Sequence, residues 1–296
     1  MTHEVVVATT EGLFYPPAPG PVELRGREVN ALAHAPGAGR WALVDGGQLW
    51  SRSGEWSHLA TAEGVRLNCL LPLGKGLLVG ASGAHLFRLT GEGLQLVDGF
   101  ERAEGRDEWF TPWGGPPDVR SLSGSGPILA NVHVGGILRS GDGESWSQTI
   151  DITCDVHEVI AQPDGLVLAA TARGLGISRN GGESWSFEQA GLHATYCRAV
   201  AVCENYVLLS ASLGPRGGRA AVYRRAVTEH GPFEKCNSGL PEWFGDNIDT
   251  GCLASSGRRA AFATGDGRVF LSEDCGGEWK ELAGGLPPIR QVSLIA

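Results

Sequence analysis

The sequence predicts an all-β protein whose residues 1–296 form a single seven-bladed β-propeller with four-stranded antiparallel blades. Three observations lead to this prediction. Glycine accounts for 45 of the 296 residues, about twice its usual share, which indicates many turns. Short apolar segments lie between those turns, and no long segment has the 3.6-residue period of a helix. The sequence also repeats itself about every 35–45 residues, the length of one propeller blade.

Six complete repeats can be traced along the chain. In each one, an inner strand is followed by a second strand, a glycine-led third strand and an outer strand. The repeats begin near Glu28, Val65, Asp118, Asp155, Cys197 and Asn247. They predict six blades of four strands each, with a segment remaining at both ends of the chain.

The two chain ends are predicted to share a seventh blade. Residues 1–25 contain three short apolar segments typical of a second, third and fourth strand, and residues 288–296 are typical of a lone inner strand. When the N-terminal strands pair with the C-terminal strand, the ring closes, both termini are held and no sheet edge is exposed. The count of seven depends on this shared blade, and six or eight blades are the alternatives.

A turn motif recurs at blade-like spacing. Residues 178–185 read Ser-Arg-Asn-Gly-Gly-Glu-Ser-Trp, a close copy occupies 272–279, a shorter copy occupies 140–146 and a degraded copy occupies 51–56. The glycines supply positive φ angles, and the Asp or Asn can accept hydrogen bonds from backbone N–H groups of the turn. The Trp can bury a large apolar surface. The motif therefore predicts a tight hairpin between the third and fourth strands of a blade.

This motif resembles the Asp-box (BNR) repeat of sialidase-type, sortilin-type and photosystem II assembly-factor-type β-propellers. The resemblance implies that the boxes are structural and lie on the face opposite the ligand mouth, so Asp142, Asn180 and Asp274 are not expected to be catalytic. The Arg-Ile-Pro motif of sialidases is absent, which argues against a true sialidase. Xyloglucanase-type enzymes use a cleft between two propellers, which a single ring lacks. The resemblance to photosystem II assembly factors transfers no functional residue.

Composition and charge narrow the classes of partner. The formal net charge is −9 at pH 7, which argues against nucleic acid or an anionic membrane as a partner. No apolar run approaches membrane-spanning length, and the N-terminus lacks the basic region and cleavage site of a signal peptide. The seven cysteines are odd in number and lack metal-binding spacing, as expected of reduced thiols. We therefore expect a cytoplasmic protein.

The second residue of each inner strand is expected to point towards the propeller axis. These residues are Asn30, Asn68, Arg120, His157, Arg198, Asp249 and Arg290. They can hydrate the channel, or they can contact a ligand; both interpretations stay open. If they bind a ligand, Arg120, Arg198 and Arg290 suit a carboxylate or phosphate, because a guanidinium can donate two parallel hydrogen bonds.

Three segments at the mouth, 101–117, 212–219 and 241–247, are longer than turns require. Loops of excess length often carry function. Trp109, Trp113 and Trp243 in these segments could line a ligand site by stacking on a sugar or an aromatic ligand. The alternative is that they cap the ends of the blades.

Three histidines suggest a metal-binding or catalytic site. His133, His157 and His193 fall on three successive blades and are expected in one sector of the mouth. Together with a carboxylate they could bind a divalent metal, or His157 or His133 could act as a general base oriented by Asp155. The alternative is three separate hydrogen-bonded histidines.

The function predicted first is binding of a small, anionic ligand or a peptide at the mouth, through Asn68, Arg120, Arg198, Asp249, Arg290 and the three tryptophans. One alternative is a hydrolase or lyase that uses the histidines and Asp155, with a divalent metal as the one cofactor considered. A second alternative is a scaffold for a protein partner. Fold alone does not choose among them, because propellers carry unrelated functions.

Overall fold

The computed structural model describes residues 4–17, 22–35, 37, 39–74, 76–112, 114–115, 117–228 and 231–295. Within these ranges the chain is a seven-bladed β-propeller, and almost all of its regular structure is β. The described residues include one short α-helix, α1 (Asp98–Glu101), and 3-10 helices at Arg106–Glu108 and Ile152–Cys154. None of these helices has the length and apolar character needed to cross a membrane. The predicted fold class is confirmed.

Six of the sheets contain four antiparallel strands each, ordered as they occur in the chain. The first sheet contains β3 (Val29–Ala35), β4 (Gly39–Val44), β5 (Gln48–Arg52) and β6 (Trp56–Thr61). The second contains β7 (Leu67–Leu73), β8 (Gly76–Ala81), β9 (Leu86–Thr90) and β10 (Gly93–Leu96). The third contains β11 (Val119–Gly124), β12 (Ile128–Val132), β13 (Gly136–Ser140) and β14 (Ser147–Gln148).

The remaining four-stranded sheets follow the same order. The fourth contains β15 (Val156–Ala161), β16 (Val167–Thr171), β17 (Gly174–Ser178) and β18 (Ser186–Glu188). The fifth contains β19 (Val200–Cys203), β20 (Tyr206–Ala211), β21 (Ala221–Ala226) and β22 (Glu234–Lys235). The sixth contains β23 (Leu253–Ser256), β24 (Arg259–Ala263), β25 (Val269–Ser272) and β26 (Lys280–Ala283).

The seventh sheet joins the two ends of the chain, as predicted. It has the order β2 (Gly12–Phe14), β1 (Glu4–Thr9), β27 (Ile289–Ile295). Val7 is the register partner of Val292, and both side chains are buried. In the fourth position, Glu23 makes a single antiparallel bridge to Leu13. The shared blade therefore exists.

The chain divides into two compact units. The first unit comprises Met1–Glu28, Ala170–Leu175 and Phe187–Ala296. Its core includes Phe262 stacked on Phe270, with ring centroids 4.8 Å apart.

The other unit comprises Val29–Ala169 and Gly176–Ser186. Part of its core is aromatic, with Phe100 packed edge-on against Trp146 at 5.1 Å. Apolar burial of this kind provides the main favourable free energy of folding in each unit.

The motif turns have the hydrogen bonds that the sequence predicts. Asp142 Oδ1 accepts from the backbone N–H groups of Glu144 at 2.8 Å and Ser145 at 2.7 Å. In the two longer copies, 178–185 and 272–279, the Oδ1 atoms of Asn180 and Asp274 accept from a backbone N–H group four residues later. These bonds lower the pKa of Asp142, since they stabilise its ionised form. The motif residues thus hold the turns.

Candidate functional site

A β-bulge marks the second residue of four inner strands. In β3, β7 and β11 the ladder register skips Asn30, Asn68 and Arg120, and in β27 it skips Arg290. A bulge leaves one residue outside the ladder and changes the direction of its side chain, and bulges are common beside active sites. The residues that the sequence singled out at these positions therefore share a specific backbone feature.

Arg198 and Arg290 line one pocket of about 300 Å³ within the first unit. The pocket also receives Arg216, so three guanidinium groups and two carboxylates, those of Asp246 and Asp249, line it. The rest of its wall comes from Pro215, Asn247, Cys252, Ala263, Gly265, Pro288 and Ile289. The structure thus brings together Arg198, Asp249 and Arg290 of the predicted ligand-binding residues.

Contacts with Asp249 and Tyr196 orient the Arg198 guanidinium in the pocket wall. Its Nη1 donates to Asp249 Oδ1 at 2.6 Å, and its Nη2 lies 3.4 Å from the hydroxyl oxygen of Tyr196. The Arg198 guanidinium also lies over the Tyr196 ring, 5.5 Å from its centroid. Burial alone would lower the pKa of Arg198, but the Asp249 carboxylate outweighs it and the pKa is raised. Arg198 is therefore a permanent, oriented cation.

The other two arginines differ in how they are held. Arg290 donates through Nε to Glu28 Oε1 at 2.9 Å, and its side chain is 42% exposed. Arg216 is exposed and lies in the segment 212–219. One mostly buried and two accessible guanidinium groups around a pocket of this size can bind a carboxylate or phosphate.

The two loop segments that form this pocket are tied to each other. Asn247 Nδ2 donates to the carbonyl oxygens of Gly214 at 3.3 Å and Pro215 at 3.2 Å. Gly217 has a φ of 77°, and its surroundings leave no room for a Cβ, which would lie 2.8 Å from Gly245 O. The extra residues of segments 212–219 and 241–247 therefore form part of the pocket wall. Position 217 in this wall requires glycine.

The predicted tryptophans lie in different environments. Trp109 is 7% exposed and packs on Phe100, with the Arg106 guanidinium 5.3 Å from its ring centroid. Trp243 is half-buried, with Lys235 Nζ only 3.6 Å from its ring centroid. Trp113 lies outside the described residues. Ligand contact by these side chains stays a prediction.

Asn68 and Arg120 belong to the second unit and do not line the pocket of Arg198, Arg216 and Arg290, here called the arginine pocket. Asn68 is half-buried at its bulge. Arg120 lies close enough to His133 for its charge to act on the imidazole. Their predicted roles in ligand binding also stay untested.

His133, Asp155 and His157 come together within the second unit. The Nε2 atoms of His133 and His157 lie 3.1 Å and 3.4 Å from the same oxygen, Asp155 Oδ1. Burial lowers the pKa of His133, and the charge of Arg120 adds to this, against the opposing hydrogen bond of Asp155. Burial would raise the pKa of Asp155, but the bonds from both imidazoles outweigh it and the pKa is lowered. This arrangement can position a proton or a metal ion.

His193 has other neighbours in the first unit. Its Nδ1 lies 2.8 Å from the Tyr223 hydroxyl oxygen, and its ring packs on Trp243 with centroids 4.6 Å apart. Among the described residues, the histidine and carboxylate group with metal-binding geometry comprises His133, Asp155 and His157 and does not include His193.

Some site residues are not evident from the sequence. Arg216 and Asn247 line the pocket, and Glu28 orients Arg290, although the sequence alone singles out none of them as a site residue. A signal existed for two of them, since Arg216 and Asn247 occupy the segments of excess length. Glu28 gave no signal, because only the closure of the seventh blade brings it to Arg290.

Comparisons with known proteins support the fold alone. No protein-family model matches the chain, and no curated protein matches it. Among solved structures, the computationally designed Ika8 protein has a TM-score of 0.62 and 15% identity, with 97% of this chain and 86% of that chain covered. YCF48 bound to D1 peptide has a TM-score of 0.60 and 14% identity, with 95% and 85% covered.

Larger enzymes are also similar in structure. The GH74 xyloglucanase from Xanthomonas campestris has a TM-score of 0.62 and 15% identity, with 95% of this chain covered. The match spans 47% of that enzyme, so about half of the xyloglucanase has no counterpart here. These neighbours agree with the propeller fold, and their low identities transfer no activity.

Proposed function

We propose that this protein is a binding module that takes the carboxylate of a small anionic molecule or of a peptide into the pocket lined by Arg198, Arg216 and Arg290. The observation that carries this proposal is the convergence of three guanidinium groups around one pocket of about 300 Å³. The three guanidinium groups outnumber the two carboxylates of the lining, Asp246 and Asp249, in a chain whose net charge is −9.

The pocket geometry suits recognition of a carboxylate. Asp249 and Glu28 hold the planes of Arg198 and Arg290, which lowers the entropy lost when a ligand binds. A pocket of about 300 Å³ lies at the small end of ligand sites. We therefore propose a small organic acid or one or two residues of a peptide as the occupant.

One structural neighbour supports a peptide as the occupant of the pocket. YCF48, which has a similar fold, is a protein bound to a D1 peptide, and this favours a peptide as one occupant. The turn motif, with acceptors at Asp142, Asn180 and Asp274, fits an Asp-box propeller, and we propose that class for the chain. The buried, unbridged cysteines support a reducing, cytoplasmic location.

A binding assay tests the proposal. Citrate, phosphate and a short peptide with a free or an amidated C-terminus would be titrated calorimetrically into the protein. Arg198→Ala and Arg290→Ala should each reduce the binding free energy of a carboxylate by about 1.5–3 kcal/mol, the contribution of a hydrogen bond to a charged group. Arg268→Ala is the matched control, because Arg268 pairs with Glu281 and is not part of the pocket lining. Equal binding by all variants refutes the proposal.

A second candidate is a hydrolase or lyase, and the convergence of His133 and His157 on Asp155 favours it. A buried imidazole that a carboxylate orients can act as a general base. Turnover of a substrate that is lost in His157→Gln and retained in His85→Gln would support it. The His85 imidazole contacts the Glu101 carboxylate elsewhere in the second unit.

A further inference from the structure

The geometry points to a mononuclear site for a divalent first-row transition metal, held by the Nε2 atoms of His133 and His157 and the carboxylate of Asp155. This site shares no residue with the arginine pocket. The metal site and the carboxylate-binding pocket can therefore be tested independently.

The distances between ligand atoms carry the inference. Zinc lies about 2.0–2.2 Å from imidazole nitrogen and carboxylate oxygen, so two tetrahedral ligands of one ion are about 3.3–3.6 Å apart. His133 Nε2 and His157 Nε2 lie 3.1 Å and 3.4 Å from Asp155 Oδ1. All three ligand atoms lie within 4.8 Å of one another. Binding of an ion would draw the three groups around it.

Backbone features accompany two of the three groups, His133 and Asp155. His133 follows β12, and its N–H donates to Asp118 O at 2.8 Å. The next residue, Val134, has a φ of 59°, and Asp155 has a φ of 47°. A β-branched residue in the left-handed region is rare, and such strain collects at functional sites. Val134 thus holds a strained backbone conformation directly beside His133.

The environment is that of a built site. His157 is fully buried and His133 is 8% exposed, so their positions are set by packing. Asp155 is the most accessible ligand, with 30% of its side chain exposed. Metal sites with three protein ligands keep a further position for water or substrate, and the exposed edge of Asp155 is where that position can open.

The ligand set defines the class of metal. Two imidazoles and one carboxylate suit Zn²⁺, Fe²⁺, Co²⁺ or Ni²⁺, whereas Mg²⁺ and Ca²⁺ prefer oxygen ligands. Neutral imidazoles and one carboxylate leave the bound ion with a net positive charge. Arg120, whose charge acts on His133, adds to that charge, so an anion is the expected additional ligand.

Cobalt titration tests the site directly. Untagged protein would be stripped with a chelator and titrated with Co²⁺, while the visible absorption of the bound ion is recorded, followed by displacement with Zn²⁺. We expect saturation at one Co²⁺ per chain and loss of the absorption when Zn²⁺ is added. Zn²⁺ should also raise Tm, because it binds the folded state. An absence of both effects in the wild-type protein overturns the proposal.

Variants show which residues bind the ion. His133→Gln, Asp155→Asn and His157→Gln should each weaken Co²⁺ binding at least about 100-fold, since even residues that only support a ligand contribute 10–100-fold. His85→Gln is the control, because His85 contacts a single carboxylate, that of Glu101, and should bind Co²⁺ as the wild type does. Circular dichroism would establish that each variant is folded. Loss of binding in the control, or retention in all three folded variants, contradicts the site.

Discussion

Arg198 Nη1 lies 2.6 Å from Asp249 Oδ1, although the two residues precede different inner strands, β19 and β23. The Arg198 side chain is 13% exposed and the Asp249 side chain 50%. A solvent-facing carboxylate therefore fixes a mostly buried guanidinium in the pocket wall. An anion that enters the pocket therefore meets the oriented guanidinium of Arg198, a hydrogen-bond donor. It also meets the carboxylate of Asp249, which competes with it for that donor.

Removal of the competing carboxylate should strengthen anion binding. In Asp249→Asn, whose amide oxygen can still accept from Arg198 and orient it, the competing charge is gone, and we expect citrate to bind about tenfold more tightly, a gain of about 1.4 kcal/mol. The free energy of unfolding should fall by about 1–3 kcal/mol, because a buried charge loses a charged partner. Calorimetric titration and denaturant unfolding measure the two effects. Glu281→Gln, at the Arg268 pair outside the pocket lining, is the control, and weaker citrate binding in Asp249→Asn would contradict the account.

A methyl group at Gly217 should disturb the pocket wall. The new Cβ would lie 2.8 Å from Gly245 O and 3.1 Å from Asn247 N, at a φ of 77°. Gly217→Ala should therefore lower the free energy of unfolding by at least about 1 kcal/mol and weaken citrate binding. Gly214→Ala is the matched control in the same segment, because a Cβ there meets no atom within 4 Å. Identical melting temperatures for the two variants would contradict this packing.

The Asp142 turn should make a pH-dependent contribution to stability. The folded state lowers the pKa of Asp142, because backbone N–H groups of Ser145 and Glu144 donate to it. Its contribution is therefore complete above the unfolded value of about 3.9 and is lost as the pH falls through the lower folded pKa.

The measurement compares variants at several pH values. Asp142→Ala should lower Tm at pH 7, and the difference from wild type should shrink below about pH 3.9. Asp142→Asn should retain most of the stability, since Asn180 fills the same role in another copy of the turn. A pH-independent difference between Asp142→Ala and wild type would count against these bonds.

The shared blade should be sensitive to truncation of its core. Val292 is 1% exposed and faces its register partner Val7. Val292→Ala should lower the free energy of unfolding by about 2 kcal/mol, because it leaves a cavity. Ser293→Ala, next in the strand, should change it by less than about 0.5 kcal/mol. Denaturant unfolding measures both, and equal values would mean that the chain ends do not share a core.

The architecture could be predicted from the sequence because every repeat contains its own strand and turn residues. Each glycine-led strand and each turn, such as residues 178–185, contains the glycines that supply the positive φ angles it needs. The apolar segments at the two ends leave one consistent pairing, which the Val7–Val292 register confirms. The bulges at Asn68 and Arg120 could not be predicted, because a bulge depends on the register between two strands.

Much less of the candidate site could be predicted. His133, Asp155 and His157 were recognised because they lie in neighbouring repeats, where the topology brings strand ends together. His193 follows the same logic by sequence, yet its contact with Tyr223 depends on how its loop packs on the next sheet. Glu28 reaches Arg290 only through closure of the last blade. Side-chain partners of this kind are set by tertiary packing.

A crystal structure of the protein with a saturating carboxylate ligand, citrate or a peptide with a free C-terminus, tests the central claim most directly. The account predicts the carboxylate within about 3.2 Å of guanidinium nitrogens of Arg198 and Arg290, with Asn247 unmoved in the wall. A ligand bound elsewhere, with this pocket holding water alone, would contradict it.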